Sequence, residues 1–335
     1  VKWTAQPPAL LPAACTSESG NLAPDLTDLN PSEGLTDLAP ILTSTVTACP
    51  YVHSGPGDYF GMFSAALAPS KEQEEATGLV TVARATVGLP PPVDSALLNQ
   101  AAQAHAAYYV LHSSAFAGGK LALGAEDKTL AQGFTGATVT ARIVAAGGPF
   151  YSASVELMAI AGLGADSVSH WLASPYGRAA LLQPHQVGMG FGSALSNNGA
   201  VAADALVLLY DGKTIAMDTP VFPPDAATGV SGSWSGDSYP QAPTPPTGFP
   251  SGPVLSMHSS KSLTLANHEL LDAAGKKLPH IWLDRLNDAY LQARAPNSVA
   301  MYAYKPLAPG KYTATLVVNA DAKVVTKTWS FTVGN

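Results

Sequence analysis

Charge is scarce in this chain. Only 12% of its 335 residues are Asp, Glu, Lys or Arg, and the formal net charge is −7. The 17 Lys and Arg residues form no cluster, which excludes the electrostatic footprint of nucleic-acid binding and of docking on anionic lipid. Long hydrophobic runs are missing as well. No stretch reaches the roughly 18 consecutive apolar residues that a membrane-spanning helix needs. Cysteine is limited to Cys15 and Cys49. Their spacing matches no zinc pattern, and in an exported protein the pair fits one disulfide closing a Pro-rich arm, with two free thiols as the alternative. The chain has no G-x-S-x-G elbow, P-loop, G-x-G-x-x-G after a strand, H-E-x-x-H or EF-hand loop. A catalytic triad assembled in space is untouched by that result.

What the chain does have is apolar content. Hydrophobic residues make up 47% of it, enough for a packed core, and the length suggests two domains. Residues 1–69 show little periodicity and are punctuated by proline from Pro7 to Pro69, so an irregular extension is expected there. A helix is predicted over 70–88. Ser70 to Gln73 has the capping-box pattern, Ala76, Leu79, Val80, Ala83 and Val87 form one stripe, and Gly88 with Pro90 stops it. A second helix is predicted from an Asp94 cap. His105, Tyr108 and His112 share its face. A short helix follows a Thr138 cap, a strand covers 151–160, and a further helix is capped by Asp166 or Ser167 and ended by Pro175. Val187–Gly192 and Ala200–Tyr210 alternate as strands around a Ser-Asn-Asn-Gly turn. Eight prolines between Pro220 and Pro250 forbid helix and central strands. Beyond Val254, short alternating segments predict a β-sandwich of Ig-like type.

The stretch VSHWLASPYGRAALLQPHQVGMGFG, residues 168–192, resembles the V-x-x-W-x-x-S-P-x-H-R … vGvG signature of the CAP superfamily. This family comprises cysteine-rich secretory, antigen 5 and pathogenesis-related proteins with bacterial secreted relatives. VGLPPPVDSALLNQAAQAHA and GFTGAT resemble further segments of bacterial members, in the family's order. The ending LAPGKYTATL … TWSFTV resembles bacterial Ig-like modules. The resemblance therefore implies an α+β chain: a Pro-rich extension (1–69), a CAP-type α/β/α sandwich (70–217), then a Pro-rich linker and an all-β Ig-like sandwich (218–335).

In that family two histidines and acidic residues line a cleft and bind a divalent metal, often zinc. The carboxylate of the family's G-E-N segment falls on Glu156. The histidine of S-P-x-H-R falls on Gly177, and alignment on Glu126-Asp127 puts the other on Gly124, whereas helix length alone favours His112. With glycine at both positions the usual site cannot form, so no cofactor is expected, and zinc only if the site is rebuilt. The resemblance places Glu156, Tyr176, Arg178 and His112 along the altered cleft, with Arg178 bridging to a carboxylate or to carbonyls. His185 is a candidate substitute ligand. His105 is expected as a satisfied core histidine and His170 as a solvent-facing one.

The implied function is that of a secreted, cell-surface or periplasmic protein, its leader removed before Val1, that binds a lipid, sterol or envelope glycan without catalysis. Two alternatives differ in class. One is a metal-assisted or acid/base hydrolase using Glu156 with His112 or His185. The other is a scaffold contacting another envelope protein.

Overall fold

The computed structural model describes residues 70–119, 121–150, 153–160, 164–197, 199–211, 219–321 and 323–334. The N-terminal extension, with Cys15 and Cys49 and their expected pairing, lies outside the described residues. The fold is mixed α and β with β predominant, and among the described residues the strands form three four-stranded sheets. The chain divides into two compact units. The described part of one takes residues 70–74, 93–160 and 188–207, and that of the other 75–92, 164–187 and 208–334.

Helix α1 (Lys71–Thr86) starts as its sequence dictates. Ser70 Oγ accepts the Gln73 amide at 3.2 Å, and Gln73 Oε1 accepts the Ser70 amide at 2.8 Å, a reciprocal capping box. Ala76, Val80 and Ala83 are buried, and Gly88 ends the segment at φ +76°.

In the first unit, strand β1 (Val93–Asp94) pairs in parallel with β3 (Gln186–Leu195), and the sheet runs β1-β3-β4-β2, with β4 at Ala202–Tyr210 and β2 at Ser154–Ile160. Asp94 belongs to β1 and is not the helix cap that was expected. Helix α2 (Ala96–Leu111) has Ser95 at its N-cap without a side-chain bond, and Asp94 accepts from Asn99 Nδ2 at 3.1 Å. Glycine lets β3 lie directly on α2. A Cβ at Gly190 would sit 2.1 Å from the Leu98 carbonyl carbon, and one at Gly192 would sit 2.0 Å from the Gln103 nitrogen. Because β1 is so short, β3 soon loses its strand partner on that side, and α2 side chains take over. Asn99 Oδ1 accepts from Phe191 N, and the Gln103 amide both accepts from Ser193 N and donates to Ser193 O. Helix α3 (Ser113–Ala117) follows α2 directly. Helix α4 (Val139–Ala145) has the Thr138 cap its sequence announces, with Thr138 Oγ1 accepting from Ala141 N at 3.2 Å, and it packs on α2.

The second unit holds a two-sheet sandwich. One sheet runs β5-β7-β10-β9 and the other β6-β12-β11-β8. The strands are β5 (Val221–Phe222), β6 (Ala227–Val230), β7 (Leu255–His258), β8 (Leu263–Leu271), β9 (His280–Leu283), β10 (Ser298–Ala303), β11 (Gly310–Ala320) and β12 (Lys323–Val333). Alternate residues meet in its core: Leu255 and Met257, Val299 and Met301, Leu316 and Val318, Trp329 and Phe331. The Pro-rich stretch supplies only the short strands β5 and β6, both at sheet edges, where a missing amide does no harm.

Helices α5 (Ala165–Ala173) and α6 (Pro175–Leu181) belong to this unit and correct two expectations. The residue at the N-cap of α5 is Gly164 at φ +58°, so neither Asp166 nor Ser167 caps it; Asp166 lies exposed in the first turn. Pro175, expected only as the end of a helix, opens a new one at its first position, with Ser174 Oγ accepting from Gly177 N at 3.1 Å. Gly177 is where α6 meets α5, because a Cβ there would sit 2.5 Å from the Trp171 carbonyl oxygen. Helix α6 packs on β7 and β10 and on helix α7 (Ala289–Arg294).

One buried group makes this unit acid-sensitive. His258 is fully buried, with its ring nitrogens bonded to Ser256 Oγ (2.9 Å) and Ser298 Oγ (3.0 Å). Burial, and then the Arg178 and Arg84 cations, push it from 6.5 down to about 3. The unfolded chain therefore binds a proton that the folded chain refuses between those values. Stability is independent of His258 above its unfolded pKa and falls as pH drops through that window, by up to about 1.4 kcal/mol per pH unit. Urea titrations from pH 6.5 to 4.5 are expected to show this loss, with a slope one proton shallower in His258→Gln.

Candidate functional site

Four ionisable side chains from four parts of the first unit converge: His105 in the middle of α2, Glu126 in the loop after α3, Arg142 in α4 and Glu156 in β2. His105 Nδ1 lies 3.0 Å from Glu126 Oε1, and its Nε2 lies 3.8 Å from Glu156 Oε2. Arg142 Nη2 donates to that same Glu156 oxygen. Arg142 also donates to the carbonyls of Gly136 at 3.0 Å and Gly124 at 3.4 Å. Glu126 accepts three further bonds: from Thr135 N at 2.5 Å, Thr135 Oγ1 at 3.0 Å and Gly136 N at 3.0 Å. The side chains of His105 and Glu126 are completely buried, and those of Arg142 and Glu156 are 1% and 5% exposed. Charges this deep persist only when paired and hydrogen-bonded, and here each has an opposite or polar neighbour.

Helix α2 holds the 120s–130s loop at three successive positions of one face. His105 takes Glu126. The Tyr108 hydroxyl donates to Asp127 O at 3.1 Å and accepts from Asp127 N at 3.0 Å, and His112 Nε2 lies 2.8 Å from Gln132 O. The His112 ring also rests on Tyr108, centroids 4.4 Å apart. The i, i+3, i+7 pattern of these residues puts them in one row. Between α3 and the loop a cleft of about 400 Å³ is lined by Ser114, Ala115, Leu121, Asp127, Thr129 and Leu130. Asp127 accepts the Thr129 amide at 2.8 Å, and this bond holds its carboxyl below the usual carboxylate range. Glu126 thus anchors the loop inward while Asp127 faces the cleft.

The residues expected along one cleft have separate partners. Glu156 meets Arg142 and His105. His112 caps the end of α2 and meets a loop carbonyl. Tyr176, 3% exposed, donates to Asp288 Oδ2 at 2.6 Å and lies against Tyr290, ring centroids 4.5 Å apart and tilted by 41°. Burial and the Asp288 bond push its hydroxyl pKa far up, so it acts as a neutral donor. Arg178 donates to the carbonyls of Leu172, at 2.6 Å, and Val254, and its guanidinium lies 4.4 Å from the Phe222 ring centroid. Of the two partners expected for it, it takes carbonyls. Burial lowers its pKa to about 9, which leaves it charged at neutral pH. Arg84 behaves alike, binding the carbonyls of Pro90, Leu181 and Gln183. His185 Nε2 lies 3.0 Å from Ser260 O, and His170 is exposed. At Gly177 the neighbouring helix leaves no room for any side chain, and Gly124, at φ +86°, contributes its carbonyl to Arg142. Among the described residues no group of three or more His, Cys, Asp or Glu side chains is arranged to hold a metal ion, and no helix is long and apolar enough to cross a membrane.

Sequence reasoning missed Arg142 and the role of Glu126. The signal for Arg142 was a lone cation in the short apolar helix VTARIVA; Glu126 served only as an alignment mark.

No family model and no curated protein matches the chain. Among solved structures, an outer surface protein from Borrelia burgdorferi is similar at 12% identity and a TM-score of 0.32, over 43% of this chain and 96% of its own. Two structures of PcoC, a copper resistance protein from Escherichia coli, are similar at 13% and 14% identity, with TM-scores of 0.22 and 0.23. Each covers 34% of this chain, and 95% and 93% of its own.

Proposed function

We propose that this is a secreted or cell-surface CAP-type protein with an Ig-like C-terminal sandwich, and that it binds a small hydrophobic ligand or an envelope glycan without catalysing a reaction. One observation carries the non-catalytic reading. The His105–Glu126–Glu156–Arg142 cluster is sealed from solvent and its charges are spent on one another. An acid/base pair must reach the proton it moves, and Glu156 reaches only protein. The cleft beside the clamped loop is open and combines Leu121, Leu130 and Ala115 with Ser114, Thr129 and Asp127. Apolar walls with a few placed polar groups suit a lipid, a sterol or the faces of a sugar ring.

The test is a titration of the full chain with a fluorescent sterol, a fluorescent fatty acid and a soluble peptidoglycan fragment. One of the three is expected to bind saturably, one per chain, and to lose about tenfold or more in affinity in Leu130→Arg, which puts a charge on the apolar wall. Failure of all three to bind, or binding unchanged by Leu130→Arg, overturns the reading.

A further inference from the structure

The sandwich carries a pair of side chains that the function above does not use. His268 lies on β8 and His280 on β9, the edge strands of the two sheets. His268 Nδ1 and His280 Nε2 are 2.7 Å apart, their rings nearly perpendicular at 80°. Both residues are half-buried, so solvent reaches the pair. Trp282, two residues along β9, lies 5.2 Å from the His268 ring and backs it.

The remaining hydrogen bond decides what the pair offers. His280 Nδ1 lies 2.7 Å from the Leu278 carbonyl, which only accepts. Nδ1 of His280 therefore carries the proton, and its Nε2 presents a lone pair toward His268. A backbone carbonyl bonded to the far nitrogen is the arrangement that orients metal-ligating histidines.

We infer that His268 and His280 form a binding site for a divalent first-row transition cation, bridging the edge strands of the two sheets with water completing the coordination. His268 would shift its proton from Nδ1 to Nε2 and offer Nδ1 to the ion, with no net proton release. Two nitrogens at about 2.0 Å from one ion stand roughly 2.8 Å apart at right angles and roughly 3.3 Å apart in a tetrahedron. The pair at 2.7 Å is closer to the first, the geometry of copper(II) and nickel(II), and reaches it by a small opening and a turn of both rings that swings each lone pair off the N–N line toward the ion.

The experiment is a calorimetric titration of the full chain with copper(II), with electron paramagnetic resonance of the equimolar complex. One ion is expected to bind with two equatorial nitrogens. His268→Gln and His280→Gln are each expected to weaken it about tenfold or more and to leave one nitrogen. Unchanged affinity in both variants, or an unchanged nitrogen count, overturns the site. Should the variants fail to fold, the unmodified chain decides. Copper is expected to shield His268 and His280 from a histidine-acylating reagent, and equal acylation with and without copper overturns the site equally.

Discussion

Gly192→Ala is expected to destabilise the first unit by about 3 kcal/mol or more, at the upper end of what overpacking costs. The added methyl would lie 2.0 Å from Gln103 N, 2.2 Å from Gln103 Cα and 2.4 Å from the Ala102 carbonyl carbon. All three are main-chain atoms of α2, so no rotamer change relieves the contact. Relief requires the helix to leave the strand. That breaks the Gln103 bonds to Ser193 and strips the exposed flank of β3 of its partners. The same substitution at Gly78 is the control. Gly78 sits mid-helix in α1, where an added Cβ would have nothing within 4 Å, so Gly78→Ala is expected to stabilise by about 0.5–1 kcal/mol through helix propensity. Urea denaturation of both variants checks the pair. Opposite signs support the packing account, and a Gly192→Ala variant as stable as the parent contradicts it.

Glu126→Gln is expected to cost about 3 kcal/mol although it changes no volume. The carboxylate faces donors throughout: Thr135 N, Thr135 Oγ1, Gly136 N and His105 Nδ1. An amide can turn only one oxygen toward them and must set its own N–H groups against another donor. The change also removes one of the two negative charges that offset Arg142, in a region shut off from bulk solvent. The damage should stay local, because Glu126 ties the loop to α2 while the sheet and its glycine contacts are made elsewhere. Denaturation midpoints for the parent chain and Glu126→Gln measure the effect.

The sequence announces those parts of the fold whose cause is local. The Ser70–Gln73 box, the Thr138 cap and the α2 row of His105, Tyr108 and His112 depend on residues within one or two turns, and each forms as expected. The prolines from Pro220 to Pro250 were legible as excluding helix and central strands, and the strands there lie at sheet edges. Helix α6 was not legible. All seven of its residues are buried, so it has no amphipathic stripe, and Pro175 resembles a stop as much as a start. The site was half legible. Glu156 was singled out by its match to the family's G-E-N carboxylate, but its partners Arg142 and His105 lie 14 and 51 positions away, with no periodicity linking them. Tyr176 and Arg178 were assigned to a cleft by resemblance; their bonds to Asp288 and Val254 come from segments 112 and 76 residues on. The coarse class, mixed α and β, follows from patterning. The CAP and Ig-like assignments rest on resemblance and belong to the proposal.

The central claim is that the buried cluster is a clamp that shapes the cleft loop and takes no part in chemistry. Hydrogen exchange by mass spectrometry on Glu126→Gln, against the parent chain, tests it most directly. The account predicts faster exchange concentrated in residues 127–136, where the Thr135 and Gly136 amides lose their acceptor, with protection kept in β3 and in the sandwich. Unchanged exchange across residues 127–136 would contradict it, since the loop would then be held by something other than the clamp.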